Sequence, residues 1–311
     1  MLICCMLAAP AISGDIELNH RVSDKIIDIT IGEQLFTQYH YGSDLNKPIL
    51  YPVRTASGKD ANRHYPMRNG VPNESDDHPH HQSVYFTYGD VDGIDFWSNR
   101  NTTAKIVSSA IVESANGVNA GRLEVENNWV LESGETTLKE HRVMIFRGDH
   151  VRRIIDFDIT LTAVSGDVVF NDTKEGMFAI RVAPELKEAE KGGNALYLNA
   201  EGLEGADEIW GKRSKWVALR GQLEGEPTVI AIMHHPSSVQ YPTYWHARNY
   251  GLFAANPFGK KDFQKGSSHI NFTLQKGESA KFGFRLLINS GSALDEVTLE
   301  NQYEEYLKDL R

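Results

Sequence analysis

The segment Asp76-Asp77-His78-Pro79-His80-His81-Gln82 places three of the chain's 12 histidines beside two carboxylates. Imidazole exchanges its proton close to neutral pH and is the commonest metal ligand. In an extended chain His78 and His80 leave one face and His81 the other. The apolar run that follows (Val84-Tyr85-Phe86, then Ile94, Phe96 and Trp97) would hold the cluster on a rigid strand. A solvated polar turn is the plainer alternative, and the flanking aromatic residues favour a site.

Two further stretches share this grammar. Ile232-Met233-His234-His235-Pro236 closes a strand, and Tyr244-Trp245-His246-Ala247-Arg248-Asn249-Tyr250 follows after a short loop. Between them and the first cluster, Asn171 to Arg181 brings Lys174, Glu175 and Arg181 to the edges of another strand. Three separated stretches rich in acid/base groups, each at a strand end, suit one pocket assembled by a sheet. The competing readings are a surface salt-bridge ladder for Lys174, Glu175 and Arg181, and a core histidine among Trp245 and Tyr250 for His246. A divalent metal held by His78, His80 and a third group such as His235 or His246 is a further use of the same residues, since His-x-His is a ligand spacing of moderate specificity.

The elements that must position these groups read as strands. Arg153 to Thr162 alternates Ile155, Phe157, Ile159 and Leu161 with polar residues, and Lys281–Ile288, Leu123–Glu126 and His141–Ile145 do the same. Asp156 and Asp158, with Arg152 and Arg153 nearby, are expected on a solvated face. Asn116-Gly117, Ser133-Gly134, Gly148-Asp149 and Gly192-Gly193 punctuate the strands at hairpin-like intervals. Only Asp295 to Leu310 spaces its apolar residues as a helix, with Ser292 or Asp295 as cap. The expected fold is all-β, an antiparallel β-sandwich with a C-terminal α-helix, forming a single domain over residues 15–311.

With 311 residues and a net charge of −10, the chain shows no run of Lys or Arg suited to a phosphate track, so a nucleic-acid partner is not expected. Residues 1–14 form an apolar run ending in small residues, like the h-region and cleavage site of a secretory signal, without a basic n-region. The run is too short to span a bilayer. Cys4 and Cys5 both fall inside it, so an exported chain, secreted or periplasmic, would hold no disulfide. Gly-x-Gly-x-x-Gly, P-loop, Gly-x-Ser-x-Gly and His-Glu-x-x-His motifs are all missing, which leaves nucleotide, hydride and serine-ester chemistries unsupported.

At Asp77-His78-Pro79-His80-His81, Gly89 to Trp97, Thr173-Lys174-Glu175-Gly176 and Tyr244-Trp245-His246-Ala247-Arg248 the chain resembles the bacterial "methane oxygenase PmoA-like" family, over most of its length after the leader. Gln82-Ser83 departs from the Arg-Gly found in many relatives, which removes a substrate clamp at that spot. The label does not fit the chemistry, because methane oxygenation belongs to a membrane protein and this chain has no stretch long enough to cross a bilayer. The resemblance implies a galactose-mutarotase-like supersandwich exported by polysaccharide-digesting bacteria, with a relative that dehydrates algal uronic-acid oligosaccharides.

For such an oligosaccharide substrate, elimination across C4–C5 needs a base for the C5 proton, a cation at the carboxylate and an acid for the leaving oxygen. His80 and His246 are the expected base and acid, with His78 orienting and Glu175 tuning a histidine. Lys174, Arg181, Arg248, His81, His235 and Trp245 are expected to bind the substrate. Mutarotation or epimerisation, glycoside hydrolysis, and a non-catalytic glycan-binding sandwich using its tryptophans are the alternatives. No oligomeric state follows from the sequence.

Overall fold

A computed structural model describes residues 15–264 and 266–309; the expected leader lies outside them. Among the described residues, two large antiparallel sheets carry the fold, one of nine strands and one of eight. The nine-stranded sheet runs from edge strand Ile16–Arg21 through Val84–Tyr88, Gly176–Arg181, Leu252–Asn256 and Thr243–Ala247 to the short edge Arg213–Ser214. In the eight-stranded sheet Arg152–Ala163 and Ser279–Ser290 are central neighbours, paired over most of their length. These strands contain the alternating runs of the sequence, and Gly121–Val130 and Thr136–Gly148 contain the other two.

The core lies between the sheets and is built from alternate residues. Phe178 packs on Phe157 and Phe284 with ring centroids 4.7 Å from each, and Phe86 lies 5.6 Å from Phe282. Neighbours along the same strands therefore face the other way. On that outer face of the nine-stranded sheet, Tyr85, Ala179, Ala254 and His246 sit opposite one another across four strands. The two alanines are fully buried there, in an apolar cluster with Tyr85, Trp97 and Leu252.

The helix Glu296–Asp309 lies on the outer face of the eight-stranded sheet, where Leu299, Tyr303 and Tyr306 pack against Ile154, Trp216, Met233 and Leu287. None of the helices among the described residues is long and apolar enough to cross a membrane. The helix overturns one expectation. Asp158 is exposed, but Asp156 is buried under the helix. Arg285 meets both Asp156 oxygens at 2.6 and 2.8 Å and reaches Asp309 of the helix at 2.6 Å, while Arg147 also pairs with Asp156. Strand alternation alone did not reveal this, because the covering element lies 140 residues further along the chain.

His234 ends the strand Glu226–His234 fully buried, stacked 5.2 Å from Phe284, with no hydrogen-bond partner at either ring nitrogen. Burial, aided by His235 and Arg213, lowers its pKa from 6.5 to about 3. The fold thus holds the neutral ring. The stability this contributes is complete above pH 6.5 and is lost as the pH falls toward 3, a loss on the order of a few kcal/mol near pH 4. His234→Leu is therefore expected to flatten the acid limb of Tm against pH. An acid limb as steep as that of the wild type would show that this ring does not govern it.

Candidate functional site

A cavity of about 370 Å³ opens on the outer face of the nine-stranded sheet. It is walled by His78, His80 and His81 from the first cluster, by Lys174 and Glu175, and by His246, Arg248 and Tyr250. Asp95, Trp97, Ser98, Arg100 and Asn101 complete it. The three stretches singled out in the sequence thus meet in one concavity, although not every residue of each takes part.

The histidine segment is a turn, not an extended strand. The His81 amide donates to the His78 carbonyl at 3.0 Å across Pro79 and His80, and His78 takes a left-handed φ of 47°. His81 consequently does not leave by the opposite face. Its ring stacks on His78 at 4.9 Å and meets His80 edge-on at 4.3 Å. A buried arginine from the preceding loop ties the turn down. Arg63 donates to the Asp77 carboxylate at 2.7 Å and to the carbonyls of Asp77 and His78, each at 2.9 Å. His78 Nδ1 lies 2.9 Å from Asp77 Oδ2, within ion-pair range though not aligned as a hydrogen bond.

Arg181 is placed differently from the expectation. It is 1% exposed beneath the turn, donates to Asp77 at 3.3 Å, and lies 3.4 Å from His81 Nδ1 and 4.6 Å from the Tyr250 ring. It supports the wall and does not reach a ligand in the cavity. Burial raises the Asp77 carboxyl, but the Ser75 hydroxyl, Arg181 and His78 outweigh it and hold its pKa at about 2. One carboxylate is thus shared by two buried guanidiniums.

Burial, reinforced by this positive charge, sets the protonation of the cavity. Burial, then Lys47, His78, Arg100 and Arg63, lower His80 to about 3. Burial and its cationic neighbours take His81 well below its usual value. Burial, Arg248 and Lys174 bring His246 to about 3. All three imidazoles are thus held neutral at pH 7, the form with a free ring lone pair, though each is a weaker base than an exposed imidazole. Arg248, the residue just past the end of the strand Thr243–Ala247, lines the cavity together with His246. Its guanidinium lies 5.6 Å from the Tyr250 ring and 5.8 Å from Trp210, and no carboxylate among the described residues pairs with it. Lys174, by contrast, is paired with Glu175.

Two expected ligand-binding residues stand elsewhere. Trp245 precedes His246 on the same strand, so it must face the core; it is fully buried, 5.8 Å from Phe253, and donates to the Ser214 carbonyl at 3.0 Å. His235 packs 5.4 Å from Tyr306 of the C-terminal helix, with Nδ1 2.7 Å from the Ser237 hydroxyl. The metal set His78, His80 and His235 is therefore not assembled. No group of three His, Cys, Asp or Glu spaced for a metal ion occurs among the described residues.

Several residues at the cavity were not named as site residues from sequence, among them the ionisable Lys47, Asp95, Arg100 and Tyr250. Lys47 is buried behind the wall, donates to the Trp97 carbonyl at 3.3 Å and lies 5.0 Å from the Tyr85 ring. Burial lowers its pKa to about 7 against the pull of Asp95. Nothing in Asn46-Lys47-Pro48 signals this. Asp95 falls within the Gly89 to Trp97 motif, and its carboxylate accepts the amides of Trp97 and Ser98 at 2.9 and 2.8 Å, which shapes the wall.

A family model described as "Family of unknown function (DUF6807)" matches residues 26–304, a description that makes no reference to the PmoA-like label. No curated protein matches the chain. Among solved structures, the galactosidase domain of the α-galactosidase-sucrose kinase AgaSK aligns with 88% of this chain and 41% of its own, at 10% identity and a TM-score of 0.45. The GH36 α-galactosidase AgaB from Geobacillus stearothermophilus aligns with 88% of this chain and 40% of its own, at 10% identity and 0.44. Galactose 1-epimerase from Lactobacillus acidophilus aligns with 90% of this chain and 99% of its own, at 9% identity and 0.41. The chain spans about two fifths of the length of the two galactosidase chains.

Proposed function

We propose that this chain, which belongs to the DUF6807 family, is a carbohydrate-active enzyme that performs β-elimination on a uronic-acid-containing oligosaccharide. The observation that carries this reading is Arg248, a guanidinium without a carboxylate partner, beside a neutral imidazole that lines the same cavity. A planar guanidinium meets both oxygens of a carboxylate and gains most as negative charge builds there. His246, two residues away, is the base next to that clamp. When it takes the proton α to the carboxylate, the charge that develops on the acid group faces Arg248. The anionic substrate also partly offsets the local positive surplus, which makes the imidazoles better proton acceptors in the complex. His80, across the cavity, holds the sugar from the other side. An extracellular or periplasmic location would suit such a substrate.

Arg248→Lys tests the clamp, because an ammonium supplies a point charge without the fork. Turnover of uronate oligosaccharides, read as the ultraviolet absorbance of the new double bond conjugated to the carboxylate, is expected to fall by about 10- to 100-fold in kcat/KM, the scale of one charge-assisted hydrogen bond. A variant with wild-type rates would remove Arg248 from the clamp. Change in optical rotation without absorbance from the wild type would mark mutarotation, and retention on a glycan column without turnover would mark a binding module.

A further inference from the structure

The geometry points to Tyr250 as the general acid of the site, the group that gives a proton to the leaving oxygen; this rests on the elimination reading above. Elimination at C4 needs both a proton acceptor and a proton donor, and the cavity is rich only in the first. His80, His81 and His246 are neutral and serve as acceptors. The Lys174 ammonium is engaged by Glu175, and the Ser98 hydroxyl donates to Asp95. Lys47 lies behind the wall, bonded to the Trp97 carbonyl.

Tyr250 remains. It lines the cavity, and its hydroxyl has no hydrogen-bond partner among the described residues. Its ring is where the site's walls converge: His78 stacks on it at 5.6 Å and 14°, with Arg181 at 4.6 Å and Arg248 at 5.6 Å from its centroid. Two guanidiniums lie against this one ring, so the phenol sits in the positively charged part of the site. Arg248 thereby links the two halves of the reaction, one side meeting the substrate carboxylate and the other the acid.

The step balances without an oxidant or reductant. His246 takes the C5 proton, and the C–H pair forms the C4=C5 double bond. The C4–O bond breaks with its pair on the oxygen, and that oxygen takes the phenolic proton of Tyr250. Water or a sugar alcohol leaves, and transfer of the imidazolium proton through solvent restores the phenol.

Tyr250→Phe separates this role from a structural one when two substrates are compared. One is a uronide with an ordinary sugar or hydroxyl at C4, and the other carries a 4-nitrophenyl ether there, whose phenolate departs without protonation. On the first, the variant is expected to lose about 10²- to 10⁴-fold in kcat with little change in KM. On the second, it should come within about tenfold of wild type, because the base and clamp are intact. Equal losses on both substrates, or none on either, would overturn the assignment while leaving elimination standing. Rescue by the aryl ether in His78→Gln and not in Tyr250→Phe would give the acid role to His78. Failure of the wild type to eliminate from either substrate overturns the elimination reading and the acid role with it. Should Tyr250→Phe not fold, fluorotyrosine at position 250 replaces it: the alkaline limb of kcat should move to lower pH, and an unmoved limb refutes the role.

Discussion

His246→Gln is expected to lower elimination from uronate oligosaccharides by about 10²- to 10⁴-fold, the usual share of one positioned proton acceptor. Glutamine has similar volume but cannot take the C5 proton at neutral pH. Little stability should be lost, because His246 Nδ1 is already buried without a partner and the nearest aromatic ring, Phe263, lies 6.0 Å away. The neighbouring position gives the contrast. Trp245→Ala removes a fully buried indole and should cost about 3–5 kcal/mol. A product assay and a thermal melt on the two variants should therefore give opposite patterns. A His246→Gln protein that melts normally and turns over at the wild-type rate removes His246 from the chemistry.

The largest stability effect is expected at the opposite side of the molecule. Arg285→Met leaves the buried Asp156 carboxylate with only Arg147, the more exposed of its two partners, and cuts the link to Asp309 on the helix. Breaking a buried pair by removing one partner costs about 3–5 kcal/mol, whereas replacing both partners by apolar groups is often neutral. Arg285→Met should lower Tm by several degrees, and adding Asp156→Leu should restore most of the loss. Activity per folded molecule should be unchanged, since the ion pair lies on the outer face of the other sheet. If the double variant is no more stable than the single one, the cost comes from lost packing on Tyr306, 4.8 Å from the guanidinium, and not from stranded charge.

The features legible in the sequence were those governed by local period. Alternation from Arg153 to Thr162 and from Lys281 to Ile288 located the two central strands of the eight-stranded sheet, and apolar spacing located the helix within one residue of Glu296–Asp309. The convergence of His78, Lys174 and His246 was legible because each lies at the end of an apolar run. What failed was decided at longer range. The histidine segment closes into a turn because Arg63, bonded to three successive features of that turn, holds it so. Arg181 is covered by that turn, and Asp156 by a distant helix. Trp245 is the exception, since it adjoins His246 within the strand and alternation should have placed it on the other face. Lys47 had no local signal at all.

The nine-stranded sheet has two faces with separate tasks. Phe178, Ile180, Trp245 and Ala247 look toward the sandwich interior, while on the outer face Ala179 lies in a second apolar cluster and His246 lines the cavity. Substitutions on one side of a strand therefore leave the other side's contacts in place. The odd and even positions of these strands are thus two sets that can be exchanged separately, one facing the core and the other the outer face. The loops that carry His78 and Arg100 widen that freedom, because they hang from the sheet and do not build it.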